Sequence, residues 1–165
     1  MEDNKITRNN NSEGGIISNN ESNAIMPEID FCDVIAKSFG FGKEDIRTIS
    51  PLTLAYIGDC VYDLVIRTIV VKKGNTSVNS LHKQTTAVVK AQSQKESFKK
   101  IESLLTQEEM DVFKRGRNAK SYSSAKNASK SDYHYATGFE ALMGYLYMTG
   151  QTSRMMSLIK AGLEN

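Results

Sequence analysis

No stretch of this 165-residue chain approaches the roughly 18 to 20 consecutive apolar residues that cross a bilayer, and its polar N-terminus lacks the apolar centre of a secretory signal. The protein is therefore expected in the cytosol. Cysteine is scarce: Cys32 and Cys60 alone make neither a disulfide framework nor a zinc site, and each stands beside an apolar residue, which predicts reduced, buried thiols. His82 and His134 are the only histidines, and their spacing suits neither a metal pair nor the base of a nucleophile. A glycine-rich phosphate loop followed by lysine and serine or threonine is missing, as are H-E-x-x-H and G-x-S-x-G, which disfavours many enzyme classes. No sustained period-two alternation, internal repeat or heptad run appears either. What remains is an all-α fold.

An apolar content of 39% fits an ordinary globular domain. Charge is unevenly placed. Residues 1–30 hold six acids against Lys5 and Arg8, a balance of −4, which leaves +6 for residues 31–165 out of a total of +2. Residues 1–26 are rich in Asn, Ser and Gly without apolar periodicity and are expected to form a disordered acidic tail ahead of one domain at 27–165. A short helix is predicted near Phe31 to Phe39, with Phe31, Val34, Ile35 and Phe39 on one face. Ser50-Pro51 caps a central helix that runs through Leu54, Ile57, Val61 and Leu64 to Val71. Ser77 or Ser80 opens a further helix carrying Leu81, Val88, Val89 and Phe98, bent or broken before Leu104. Thr106 and Glu109 spell a capping box for a helix ending near Arg115, and helices at roughly 134–149 and 152–163 are split by Gly150.

The central helix is apolar nearly all round, which predicts burial on most sides, yet it contains Gly58, Asp59 and Asp63. A helix-interior glycine costs about 1 kcal/mol relative to alanine, and a buried, unpaired carboxylate costs more. An ion pair with Arg67, four residues on, would compensate Asp63. Asp59 lies beyond direct reach of that arginine, with small Ala55 one turn earlier, and a bound cation is the sharper explanation. Glu140, in TGFEALMGYLY, repeats the setting: an acid in an apolar helix with Gly144 one turn on. Two unrelated salt bridges would explain the pair as well, since spacing alone cannot make residues 81 positions apart meet. Positive charge gathers between them. Lys114, Arg115, Arg117, Lys120, Lys126 and Lys130 fall within 17 residues that contain no acid, and Asn118, several serines, Tyr122 and Tyr133 accompany them. This pattern suits a flexible element docking on phosphates and sugar hydroxyls, although a merely soluble loop would share it. Lys83, Lys90, Lys95, Lys99 and Lys100 could extend the footprint.

The segment LAYIGDCVYDLVIR, residues 54–67, resembles the signature helix of the ribonuclease III family, and FEALMGYLY, residues 139–147, resembles that family's second acidic helix. RGRNAK between them is similar to the pattern of the short branch called Mini-ribonuclease III. The resemblance covers about residues 45–150. It implies an all-helical homodimer whose paired signature helices form the interface, with a groove across both subunits for double-stranded RNA. It further implies that Asp59 and Glu140 bind Mg²⁺, which activates a water to attack the phosphodiester and leaves a 5′ phosphate. Arg115, Arg117, Asn118 and Lys120 would hold the RNA backbone, with Lys126 and Lys130 beside them. The implied substrate is precursor large-subunit ribosomal RNA, with a ribosomal protein as a possible presenter.

Larger family members place a glutamate four residues before the signature aspartate and an aspartate three before the second acid. Here those positions are Ala55 and Thr137. Fewer carboxylates remain to hold metal, and Asp63 is the candidate to assist. A double-stranded-RNA-binding domain is not expected after the catalytic one, and weaker affinity for generic duplex is expected in consequence. A non-catalytic RNA-binding homodimer is the competing class, disfavoured by the retention of both acids. A helical DNA-binding protein lacks a recognisable helix-turn-helix.

Overall fold

The computed structural model describes residues 30–42, 44–120 and 129–164; the expected acidic tail, Tyr122 and Lys126 lie outside these. Seven α-helices order the described residues, with no strand among them. Helix α1 (Phe31–Phe39) is capped by the Asp30 side chain and stopped by Gly40 in the left-handed conformation. Helix α2 (Pro51–Lys73) begins where the Ser50 side chain accepts from the Thr53 N–H. Helices α3 (Val78–Val89) and α4 (Ala91–Ile101) are separated by a single extended residue, Lys90. The break expected before Leu104 therefore falls at residue 90. Helix α5 (Gln107–Asn118) starts at the Thr106–Glu109 capping box, with both reciprocal bonds formed. Ser129 caps α6 (Lys130–Met148), and Gly150, at a φ of 69°, turns the chain into α7 (Thr152–Leu163).

Two boundaries differ from the sequence expectation for one physical reason. The helix expected to end near Arg115 continues to Asn118, and the one expected at 134 begins at Lys130. Gly116 is no helix terminator here, because a Cβ on it would stand 2.6 Å from the Ala141 Cβ and 3.0 Å from the Gly138 Cα. It is a point of close contact between α5 and α6. The described residues of the basic stretch thus lie at two helix ends.

The sequence predicts α2 as the enclosed helix, but α6 takes that place, with ten buried residues between Ala136 and Leu146 and with α2, α4 and α5 packed around it. Phe98 stacks on Phe113 at 3.5 Å between ring centroids, and Tyr135 closes on both rings. Helix α2 buries Leu54, Tyr62, Ile66 and Val70 against this core. Its opposite side leaves Leu52, Tyr56, Cys60, Leu64 and Val71 exposed, Tyr56 at 76%. The first four recur every four residues and Val71 follows two turns on, so an apolar circumference does not mean burial within one protomer. Cys60 belongs to that edge and is exposed, contrary to expectation, while Cys32 is half-buried and its Sγ lies 3.7 Å from the Met148 Sδ. In helix α1 the face expected to carry Phe31, Val34, Ile35 and Phe39 points outward, and the half-buried side is Cys32, Asp33 and Ala36.

The capping box does a second job. Buried Glu109 accepts from Arg154 of α7 through both carboxylate oxygens, at 2.8 and 2.9 Å, and Arg154 also donates to the Leu104 carbonyl at 2.7 Å. The Arg154 guanidinium holds the Glu109 carboxyl below its ordinary value, against the opposing effect of burial. A lowered carboxylate pKa gives stability that is present above the unfolded value of 4.5 and lost as pH falls through the folded one. Arg154→Ala is expected to cost about 2 to 3 kcal/mol at neutral pH, because it strands a buried carboxylate. The deficit should shrink as the pH falls below 4.5 and through the lowered folded value, which urea unfolding at several pH values would measure.

Candidate active site

Asp59 and Glu140 meet where α2 crosses α6. The crossing is made by glycines: a Cβ on Gly58 would lie 1.8 Å from the Glu140 carbonyl oxygen and 2.6 Å from the Gly144 nitrogen, and one on Gly144 would lie 2.0 Å from the Leu54 carbonyl oxygen. The helix backbones are in direct contact there, and the residues beside the contact are the two acids. The glycines therefore serve helix contact, rather than leaving open room beside the carboxylates as the sequence suggested. Ala55 and Thr137, the positions where larger relatives are expected to carry acids, are buried. The Thr137 hydroxyl donates back to the Tyr133 carbonyl at 3.0 Å.

Both carboxyls are raised. Burial, reinforced by the charge of Asp59, pushes Glu140 up to about 7, while the adjacent Gln94 amide works in the other direction. Asp59 turns outward in the protomer, yet enough protein surrounds its carboxyl to raise it, and the charge of Asp63 adds to the effect. Asp63 itself pairs with Arg67 one turn on, as its spacing suggested. Two adjacent acids that both resist ionisation form a site for a cation or a proton. The donors are hard oxygens, suited to Mg²⁺ or Mn²⁺. No group of three or more His, Cys, Asp or Glu side chains gathers into a metal site among the described residues. Two carboxylates with retained waters is a usual arrangement for Mg²⁺, so the residues present fit that ion.

A shallow groove of about 380 Å³ lies between the end of α5 and the start of α6, lined by Arg117, Asn118, Ser131, His134 and Tyr135. Arg117 is held over two rings, with its guanidinium carbon 5.7 Å from the Phe113 centroid and 5.8 Å from that of Tyr135. Lys95 of α4 reaches the same end of α6, bonding the Asp132 carboxylate at 2.7 Å and the Ser131 hydroxyl at 3.1 Å. Of the RNA-binding candidates singled out in the sequence, Arg117 and Asn118 line the groove and Lys130 opens α6. Arg115 and Lys120 are exposed beside it, and Lys126 lies outside the described residues. Sequence reasoning missed Ser131, His134 and Tyr135. Only their position one helical turn apart at the start of a helix next to the basic stretch could have suggested them.

An all-helical domain with paired carboxylates at a glycine crossing and a basic groove at the ends of two helices has counterparts. Residues 52–151 match the Ribonuclease III domain. The chain belongs to the ribonuclease III family. It is 50% identical over 121 residues to a Mini-ribonuclease 3 of Clostridium tetani, covering 73% of this chain and 80% of that protein. It is 48% identical over 122 residues to a Mini-ribonuclease 3 of a Thermoanaerobacter species, covering 74% and 86%. A crystal structure of a Fusobacterium nucleatum protein superposes with a TM-score of 0.64 at 31% identity, over 71% of this chain and 93% of that one.

Proposed function

We propose that the protein is a Mg²⁺-dependent endonuclease of double-stranded RNA that works as a homodimer. The observation that carries this reading is the convergence of Asp59 and Glu140, distant in sequence, at one backbone-tight crossing. Asp59 and Glu140 would hold Mg²⁺, which when bound supplies an activated water nucleophile and charge stabilisation at the leaving 3′ oxygen, giving a 5′ phosphate. The protein's own residues do the rest. The α2–α6 contact fixes both carboxylates on rigid helices, and the ring-held Arg117 offers a pre-oriented cation to a phosphate of the duplex backbone. Asn118, Lys120 and Lys130 add donors along the same path, as do Arg115 and Lys126. Asp63, drawn toward Arg67, tunes Asp59 rather than adding a free ligand.

The exposed apolar edge of α2 supports the homodimer reading. Leu52, Tyr56, Leu64 and Val71, with Phe31, Val34 and Phe39 of α1, expose more large apolar side chains than one protomer needs for solubility. Pairing through α2 brings two catalytic sites to one duplex, so that each protomer cuts one strand. The proposed substrate is precursor large-subunit ribosomal RNA in the cytoplasm, with a ribosomal protein as a candidate presenter. Incubating the purified protein with that precursor is expected to create discrete new 5′-phosphorylated ends in Mg²⁺ and none in EDTA. Binding without cutting in Mg²⁺ would instead identify a non-catalytic RNA-binding homodimer.

A further inference from the structure

Among the described residues, most ion pairs join side chains no more than four positions apart, and two join different helices. Arg154–Glu109 belongs to the cap of α5; Lys95–Asp132 ties α4 to the start of α6. Both side chains of the second pair are largely covered. Lys95 donates to the Asp132 Oδ1 at 2.7 Å and to the Ser131 Oγ at 3.1 Å, and its Nζ stands 5.4 Å from the Tyr135 ring centroid. The Tyr135 ring also lies under Arg117 and closes on Phe98, one turn beyond Lys95 on α4. One ammonium thus engages three residues at the start of α6, and two of them, Ser131 and Tyr135, line the basic groove.

The first turn of α6 has little else to hold it. Ser129, Lys130 and Ser131 are exposed, and continuous burial begins only at Ala136. A helix end without tertiary cover frays. We infer that Lys95 is a positioning residue for duplex RNA, whose ammonium, bonded to Asp132 and Ser131 beside Tyr135, fixes the first turn of α6 against α4 so that Ser131 and His134 meet the RNA backbone in the groove. The sequence suggests Lys95 as one more phosphate contact, but the geometry gives it a different task. Its charge is already engaged by Asp132, so it offers a polyanion little net attraction, and it neutralises an acid that would otherwise repel phosphate beside the groove. The Ser131 oxygen that accepts from the ammonium is polarised toward donating its own proton to a phosphate or ribose oxygen. This role presupposes that the basic groove is the path of the RNA.

Binding of the full chain to long duplex RNA, titrated with Ca²⁺ in place of Mg²⁺, separates the two tasks by sign. Asp132→Ala removes a negative charge beside the path of a polyanion. If Lys95 contacts phosphate directly, that variant releases it and binding tightens, a result that would overturn the inference. A strut predicts the reverse: Asp132→Ala and Lys95→Met each weaken binding about five- to tenfold, the scale of one lost charge-assisted hydrogen bond. The double variant should bind no worse than the weaker single one, because both remove the same strut, whereas losses that multiply would refute the coupling. Steady-state cleavage adds a second readout. KM for the duplex should rise with kcat unchanged, since Asp132 lies about two helical turns before Glu140. A merely structural role would lower the melting temperature at wild-type duplex affinity and KM, and that outcome also sinks the proposal. Should Lys95→Met not fold, Lys95→Gln carries the same expectation and the same refutation. Arg117→Ala serves as the control. If it binds duplex like the wild type, the reading of the groove as the RNA path fails; if it weakens binding while the Lys95 and Asp132 variants do not, only the role of Lys95 fails.

Discussion

Asp59→Asn is expected to reduce cleavage of duplex RNA by about a thousandfold or more, equivalent to about 4 kcal/mol of lost transition-state stabilisation, while duplex binding is retained. Asparagine keeps the size and polarity of the side chain but removes one of only two carboxylates at the α2–α6 crossing. Among the described residues no other acid is positioned to replace it: Ala55 and Thr137 occupy the neighbouring positions, and Asp63 is engaged by Arg67. The folded protein should not suffer. Burial and the charge of Asp63 raise the Asp59 carboxyl, so its ionised form opposes folding at pH values above its folded pKa, and that opposition fades as pH falls. Asparagine carries no such penalty, so the metal-free variant should melt no lower than the wild type at neutral pH. Single-turnover cleavage, a binding titration with Ca²⁺ in place of Mg²⁺ and a melting curve would together distinguish lost chemistry from lost structure. Cleavage equal to the wild type would refute the assignment. The partner carboxyl adds a pH signature: with Glu140 at about 7, protons compete with the cation, so the Mg²⁺ requirement of the wild type should rise as pH falls through that value.

Gly58→Ala is expected to be nearly as damaging by a different route. The added methyl would stand 1.8 Å from the Glu140 carbonyl oxygen, and because that atom is backbone, no rotamer change relieves the overlap. Helices α2 and α6 must separate, which should cost about 3 kcal/mol of stability. The same movement parts Asp59 from Glu140, and a displacement of about 1 Å at a catalytic pair can cost about a hundredfold in rate. Gly42→Ala is the control, with nothing within 4 Å of the new methyl, and should lie within about 0.5 kcal/mol of the wild type. Urea midpoints and cleavage rates for the two variants test this directly. A stable, active Gly58→Ala protein would show that the crossing is looser than described and would remove its role in aligning the acids.

Much of this was readable in advance because its causes are local. Ser50-Pro51, the Thr106–Glu109 box and Gly150 set helix ends through side-chain bonds and backbone preference within a few residues. The Asp63–Arg67 pair follows from four-residue spacing. The resemblance to ribonuclease III motifs marked both acids. What failed was inference about surroundings. Cys60 read as buried but is exposed, because apolar neighbours record that a segment avoids water without recording which surface covers it. Gly116 read as part of a flexible basic loop, though its role is contact with α6.

The sequence by itself determined the all-helical class and most helix boundaries, since periodicity, capping and composition act over a few residues. Only the tertiary structure decided that Asp59 and Glu140 come together at one helix crossing and that α6 rather than α2 is the enclosed helix. Those facts depend on which helices touch. Helix contact is set by side chains, and by their absence at glycine, far apart along the chain, where no local pattern carries the information.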